Sequence, residues 1–118
     1  MPPAAPTDDT LRVICLCAAW CGVCRDWRAL FDQAAAAHPQ HRFGWIDVED
    51  EADALGDPDI ETFPSLLVAR GGRALFLGPV PPLLVPLNRL LATLSEDAAP
   101  TAGADAQALL ARIEAARL

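Results

Sequence analysis

The pattern W-C-G-V-C at positions 20–24 constrains the fold more than any other part of the chain. Residues 11–17, before it, form an almost continuous apolar and β-branched run, as in a strand buried on both faces of a parallel sheet. After it, apolar residues recur at helical spacing through residues 21–37, and His38-Pro39 ends the run. The two cysteines are therefore expected where a buried strand passes into a helix.

This position predicts different roles for the two thiols. In the first turn of a helix, the side chains of Cys21 and Cys24 lie close enough to form a disulfide. Unpaired amide N–H groups and the positive end of the helix dipole favour the thiolate form of Cys21, and the thiolate is the nucleophile in disulfide exchange. Cys24 is expected to be less exposed. We therefore predict that Cys21 attacks a substrate disulfide and that Cys24 resolves the mixed disulfide.

Two further cysteines leave other interpretations open. Cys15 and Cys17 extend the pattern to C-x-C-x3-C-x2-C, which is compatible with a zinc site or a metal carrier, with His38 and His41 as additional ligands. In an alternating strand Cys15 and Cys17 point to the same face, towards the following helix, where thiols usually serve as small apolar side chains. A purely structural disulfide is another alternative. We favour redox chemistry without a metal or bound cofactor, and solvated loop histidines.

Size and composition predict one domain. The chain has 118 residues, of which 53% are apolar, enough for one modest core. Residues 1–10 lack a basic segment followed by an apolar one, so no secretory signal is predicted. The longest apolar stretch, residues 74–87, is broken by prolines and too short to cross a bilayer. We expect a cytoplasmic protein without a membrane span, where cysteines serve catalysis or sensing more often than stapling.

Charge argues against nucleic acid as a partner. The formal net charge is −7, and the nine basic residues are arginines that form no basic stripe. A solvated, helix-capping loop is the favoured interpretation of the acidic cluster, and an acidic rim that selects basic partners is the alternative. The cluster consists of Asp47, Glu49, Asp50, Glu51, Asp53, Asp57, Asp59 and Glu61.

The rest of the chain predicts three strands and further helices. Arg70-Gly71-Gly72-Arg73 joins two apolar runs, and the Gly-Gly pair permits the positive φ of a tight hairpin. The predicted elements are a second parallel strand at residues 42–48, a short helix at 51–55, strands at 65–69 and 74–77, and helices at 83–94 and 105–118.

This order of elements, with Trp20 directly before the first cysteine, resembles the thioredoxin family over roughly residues 11–94. Residues 62–65, Thr-Phe-Pro-Ser, are similar to the family's cis-proline loop, which faces the dithiol. The resemblance implies an α/β fold: a thioredoxin-like three-layer α/β/α sandwich with a mixed sheet of about four strands. The implied organisation is an N-terminal arm at 1–10, a thioredoxin-like domain at 11–95, a linker at 96–104 and an additional C-terminal helix at 105–118.

The resemblance also implies a substrate groove. In the family, backbone groups beside the proline pair with an extended substrate segment, a mode that tolerates many sequences. Phe63 and Pro64 would form one wall and Trp20 another, with Gly22 and Val23 as further substrate contacts.

Three departures from the family pattern qualify the resemblance. Gly22-Val23 replaces the usual Gly-Pro, a spacer that helps set the redox potential, which stays open. Cys15 stands where the family has a buried aspartate, and Phe43 where that aspartate has a lysine partner, so we expect Cys24 to lack a base. Most of the family's opening strand-helix unit is expected to be missing. The helix at residues 105–118 would cover the sheet face left bare, or else pack on a second subunit.

The sequence thus predicts a monomeric thiol-disulfide oxidoreductase that acts on protein disulfides through Cys21 and Cys24. Its electrons would come from a reductase or a thiol donor that the sequence does not identify. The alternative is a non-catalytic thioredoxin-like interaction module that docks through the acidic loop and the proline-rich residues 79–86. Its C-x2-C motif would then be a vestige or a redox-sensitive clasp.

Overall fold

Four strands and four helices make up the described part of the chain, which in this computed structural model comprises residues 10–56, 60–95 and 101–118. The elements are β1 (Arg12–Cys17), α1 (Gly22–Ala37), β2 (Arg42–Asp47), α2 (Ala52–Leu55), β3 (Ser65–Arg70), β4 (Arg73–Pro79), α3 (Leu84–Leu94) and α4 (Ala104–Ala116). Each predicted helix and strand has a counterpart among them. Most of the predicted arm and linker lies outside the described residues.

The strands form one mixed sheet in the order β2-β1-β3-β4. Strand β1 runs parallel to β2, with Cys17 opposite Asp47 at its carboxyl end. Strand β3 is antiparallel to both β1 and β4. Strand β1 is therefore an interior strand of the sheet, in agreement with its predicted burial on both faces. Asp47 consequently lies at the same sheet edge as the start of α1.

The predicted hairpin joins β3 to β4. Arg70 and Arg73 are opposite each other in the register, so Gly71 and Gly72 form the turn. Gly71 has φ of +60°, a conformation that glycine adopts without the steric cost of a Cβ. Strand β4 continues to Pro79, two residues beyond the predicted end.

One face of the sheet is covered by α1 and α3. The buried positions of α1 recur at helical spacing and pack on the β1 residues that point to the same face. The α1 residues are Cys24, Trp27, Phe31 and Ala34, and the β1 residues are Val13, Cys15 and Cys17. Leu87, Leu91 and Leu94 of α3 complete this cluster. No helix in the described ranges is both long and apolar enough to cross a membrane.

The other face is covered by α4. Successive strand residues point to opposite faces, so Ile14 and Leu16 lie on this side. They pack with Ala106, Leu109, Leu110 and Ile113 of α4. Gln107 ties the helix to the hairpin, because its side chain accepts from the Ala74 N–H at 2.9 Å and donates to the Gly72 carbonyl at 2.7 Å. The prediction that this helix covers the sheet is confirmed, which gives the expected three layers.

Truncating a buried α4 side chain should destabilise the monomer. Leu110 is fully buried, so Leu110→Ala should lower the free energy of unfolding by about 3 kcal/mol through lost burial and the remaining cavity. Glu114→Ala, on the exposed side of the same helix, is the control and should change it by less than about 0.5 kcal/mol. Denaturant unfolding and size-exclusion chromatography provide the measurements. Unchanged unfolding of Leu110→Ala with loss of a dimer would contradict this assignment.

Candidate functional site

The turn from β1 into α1 places Cys21 at the start of the helix. Cys21 is the N-cap residue, with extended φ and ψ of −82° and 117°. Its N–H donates to the Ala18 carbonyl at 3.0 Å, and its carbonyl accepts from the Arg25 N–H at 3.2 Å. Its side chain makes no capping hydrogen bond, and its half-buried thiol is free. The sulfur is thus positioned at the positive end of a 16-residue helix without being used to cap it.

Asp47 holds this turn in place from the end of β2. One carboxylate oxygen accepts from the Ala19 N–H at 2.8 Å, and the other accepts from the N–H groups of Glu49 at 2.9 Å and Asp50 at 3.1 Å. Partial burial opposes ionisation, but the hydrogen bonds from Asp50, Glu49 and Ala19 outweigh it and lower the pKa of Asp47. The carboxylate therefore braces the segment that leads into Cys21.

Within the acidic cluster, the helix-capping part of the prediction is wrong for α2. The N-cap residue of α2, Glu51, makes no side-chain cap hydrogen bond. Glu49, Asp50, Asp53 and Glu61 are exposed, as predicted for a solvated loop. Asp57 and Asp59 lie outside the described residues.

The structure pairs Cys24 with Cys17. The two are joined by a disulfide, with Cα atoms 5.9 Å apart, and each is 1% exposed. The prediction that Cys24 is less exposed than Cys21 is confirmed. The predicted pairing of Cys21 with Cys24 is not the one in this structure and stays a prediction. The sequence predicts that the Cys17 side chain points towards the following helix, but the pairing of Cys17 with Cys24 was not predicted. That predicted orientation is the signal from which the pairing could have been found.

Cys15 lies beside this disulfide as a free, fully buried thiol. Its sulfur is 3.7 Å from that of Cys17, which confirms that the two share a face. Burial raises the pKa of Cys15 to about 12, so it is a neutral thiol at physiological pH. Phe43, opposite Val13 in the sheet, packs on Phe31 with ring centroids 5.3 Å apart. The position of the family's aspartate and lysine is therefore neutral and apolar here.

The predicted groove walls contact each other. The rings of Trp20 and Phe63 are 5.7 Å apart in an edge-to-face arrangement, and Trp20 is 62% exposed. The Phe63-Pro64 peptide bond is cis, as the resemblance implied. Val23 is 47% exposed and lines a cleft of about 250 Å³ together with Pro82. An exposed apolar surface thus adjoins the Cys21 segment.

A second cleft, of about 320 Å³, passes beside Cys24. Its polar lining includes Arg25, Arg28 and Asp47, and Arg28 stacks over Trp45 with its guanidinium carbon 4.6 Å from the ring centroid. The described residues contain no group of three or more histidine, cysteine, aspartate or glutamate side chains placed to hold a metal ion.

His38 and His41 lie outside the helices and strands, as predicted for loop histidines, but they are half-buried and hydrogen bonded and not fully solvated. His38 pairs with the side chain of Asn88, and His41 accepts from the Leu11 N–H, each at 3.0 Å. The two rings stack with centroids 5.9 Å apart. Both histidines therefore serve packing at the end of α1.

The thioredoxin family model matches residues 5–77. The chain belongs to the thioredoxin family. A Streptomyces coelicolor protein named as a candidate thioredoxin 2 is 32% identical over 73 residues, which cover 62% of this chain and 54% of that protein. The chain therefore spans about half the length of the Streptomyces coelicolor protein. Thioredoxin-1 of Saccharomyces cerevisiae is 27% identical over 70 residues, 59% of this chain and 68% of the yeast protein.

Solved thioredoxin structures share the fold. Fasciola hepatica thioredoxin superposes with a TM-score of 0.64 at 20% identity, covering 72% of this chain and 81% of that one. In this thioredoxin-family chain, the cysteine pair at the start of α1 therefore lies within an α/β thioredoxin-like fold with a four-stranded mixed sheet.

Removing the Asp47 carboxylate should give a pH-dependent loss of stability. Because its folded-state pKa is lowered, the ionised group stabilises the fold above the unfolded value of about 4 and loses this contribution as pH falls through the folded pKa. Asp47→Asn should therefore cost about 1 kcal/mol at neutral pH, as for other side chains that cap backbone amides. Denaturant unfolding of both proteins across the acid range provides the measurement.

The matched control is Asp50→Asn, which alters an exposed neighbouring carboxylate and should leave stability nearly unchanged. The difference between wild type and Asp47→Asn should shrink towards zero in acid. A difference that is the same at neutral and acid pH would contradict the role given to this carboxylate.

Proposed function

We propose that this protein is a thiol-disulfide oxidoreductase that exchanges disulfides with protein substrates through Cys21 and Cys24. The observation that carries the proposal is the free, half-buried Cys21 thiol at the N-cap of α1, three residues before a buried Cys24. Membership of the thioredoxin family supports disulfide exchange as the reaction class. No bound cofactor is needed, because the two sulfurs carry the electrons.

The exchange begins from the reduced protein. The Cys21 thiolate attacks one sulfur of a substrate disulfide, and the other substrate sulfur leaves as a thiolate. Cys24 then attacks the Cys21 sulfur of the mixed disulfide, and the substrate departs with two reduced sulfurs. In the first step the attacking sulfur, that of Cys21, lies at the positive end of the α1 dipole, where the first amides of the helix have no partner within it.

The surroundings of Cys21 fit an extended protein segment. Trp20 and Phe63 present apolar rings, and Val23 adds apolar surface at the first turn of α1. Gly22 is exposed without a side chain, so a substrate backbone can approach closely there. Pro64 is itself buried, and we assign it to the floor of the groove.

We place the protein in a reducing compartment, the cytoplasm, as a monomer whose electrons come from a reductase or a thiol donor. Cys21, the proposed attacking residue, is a free thiol in the structure. Such a compartment keeps exchanging cysteines reduced and ready to attack.

A specific observation favours a second candidate, a non-catalytic interaction module. Cys24 is bonded to Cys17, so in this oxidised state Cys21 has no free resolving thiol beside it. Leu83 and Val85, within the proline-rich residues 79–86, are 56% and 60% exposed and could dock a partner. Reduction of insulin disulfides by the pre-reduced protein separates the candidates, because only the oxidoreductase accelerates it.

Replacing each cysteine of the motif should have a different result. Cys21→Ser should abolish insulin reduction, because a serine hydroxyl does not act as the attacking sulfur. Cys24→Ser should accumulate a mixed disulfide with the substrate, visible by mass spectrometry, because no sulfur resolves it. Asp32→Ser, on the exposed side of α1, is the control and should behave as wild type. Full activity of Cys21→Ser would disprove the proposal.

Restoring a base beside Cys24 should accelerate resolution. Cys15 is neutral and accepts no proton from Cys24, whereas the carboxylate in Cys15→Asp would do so. We expect single-turnover resolution of the mixed disulfide to be about a hundredfold faster, at the lower end of the usual range for general base catalysis. Cys15→Ser is the control of similar size without a base. Equal rates in wild type and Cys15→Asp, with both folded by thermal melting, would refute the missing-base explanation.

A further inference from the structure

Cys24 has two possible sulfur partners. Cys17 ends β1 and Cys24 is the third residue of α1, and their Cα separation of 5.9 Å lies in the ordinary range for a disulfide. Cys21 is three positions before Cys24 at the same helix end, a spacing that brings side chains to one face. The Cys24 sulfur thus has one candidate partner on the strand, Cys17, and another at the helix start, Cys21.

The two partners differ in their access to solvent. Cys17 and Cys24 are each 1% exposed, whereas Cys21 is half-buried. Disulfide exchange requires the attacking sulfur to reach the attacked one. A protein substrate therefore reaches Cys21, and the buried pair can receive oxidation from it only through Cys21.

Cys15 does not compete for Cys24. Its sulfur contacts that of Cys17 at 3.7 Å, but the structure bonds Cys24 to Cys17 and not to Cys15. Cys15 therefore acts as a neighbour that can hydrogen bond to the sulfur of Cys17. Three sulfurs, rather than four, take part in exchange.

We propose that Cys17 is a third redox-active cysteine, which takes the disulfide over from Cys21 after each exchange with a substrate. This inference rests on the proposed function only in that a substrate disulfide oxidises the protein through Cys21. The Cys17 sulfur attacks Cys24, the Cys21–Cys24 bond breaks, and the Cys17–Cys24 bond forms. The proton of Cys17 ends on Cys21. The oxidation level of the protein does not change, so no further oxidant or reductant is required.

The transfer changes what the oxidised protein presents to solvent. A Cys21–Cys24 disulfide would leave only the buried sulfurs of Cys15 and Cys17 as thiols. The Cys17–Cys24 disulfide instead leaves Cys21 free at the surface. The oxidised protein therefore keeps its entry nucleophile and forms mixed disulfides that Cys24 is not free to resolve. Oxidation converts a protein that exchanges disulfides into one that retains its partner.

Disulfide mapping distinguishes the two linkages. The purified protein is reduced, oxidised with diamide and blocked with iodoacetamide while folded, then digested with trypsin and chymotrypsin. Trypsin cleaves after Arg12 and Arg25, and chymotrypsin cleaves after Leu16 and Trp20. Together they place Cys15, Cys17 and the 21–24 pair in three separate peptides. A Cys17–Cys24 disulfide joins two of these peptides, whereas a Cys21–Cys24 disulfide stays within one.

We expect oxidised wild type to give the joined peptides with Cys21 carrying the iodoacetamide label. Cys17→Ala should give the disulfide within one peptide and no label on Cys21, and Cys15→Ala, the matched control, should give the wild-type pattern. Oxidised wild type that contains only the Cys21–Cys24 disulfide would overturn the inference. This result needs no variant, so misfolding of Cys17→Ala would not obscure it.

A time course tests the order of events. Reduced wild type is mixed with insulin, quenched in acid at intervals and mapped as before. The Cys21–Cys24 linkage should appear first and decline as Cys17–Cys24 rises. Simultaneous appearance of both would overturn the transfer. Absence of insulin reduction would count against the proposed function instead, since diamide oxidises the cysteines without a protein substrate.

Oxidised wild type and oxidised Cys17→Ala should also differ in the rate at which dithiothreitol reduces their disulfides. The wild-type disulfide is buried, so its reduction should be about tenfold slower than that of oxidised Cys17→Ala, because access limits exchange. Equal rates would contradict the protection of the disulfide by burial.

Discussion

The packing of α1 on β1 is the contact on which the site depends. The helix buries Trp27 and Phe31 against the strand, and the same contact brings Cys24 against Cys17. It leaves Cys21 one turn earlier, at the end of the helix, where the sulfur is only half-buried. The partial exposure of the Cys21 thiol and the burial of Cys24 are therefore two results of one packing geometry.

Strand β1 supports both faces of the molecule. Cys15 and Cys17 point to the helix that carries the motif, and Ile14 and Leu16 point to α4. A displacement of this strand would therefore disturb the thiols and the α4 core together. Asp47 holds the turn that follows the carboxyl end of β1. Gln107 holds α4 to the hairpin at the opposite end of the sheet.

Environment, rather than residue type, separates the four cysteines. Cys15 is buried and neutral, Cys17 and Cys24 share a buried disulfide, and Cys21 is accessible at a helix N-terminus. The family's buried acid is replaced by a thiol that does not ionise. The chain thus has a free cysteine at the start of α1, with a neutral thiol and a disulfide to β1 buried behind it, which supports the proposed transfer of the disulfide to Cys17.

The sequence by itself determined the order of elements, the strand-helix junction around Cys21 and the hairpin at Gly71, because periodicity, helix ends and positive φ are local properties. Tertiary structure alone decided that Cys24 pairs with Cys17 and that Trp20 meets Phe63, and it chose between the two positions predicted for α4. Four cysteines permit three complete pairings, and spacing does not choose among them. That choice is made only when elements distant in sequence pack and bring particular sulfurs within bonding distance.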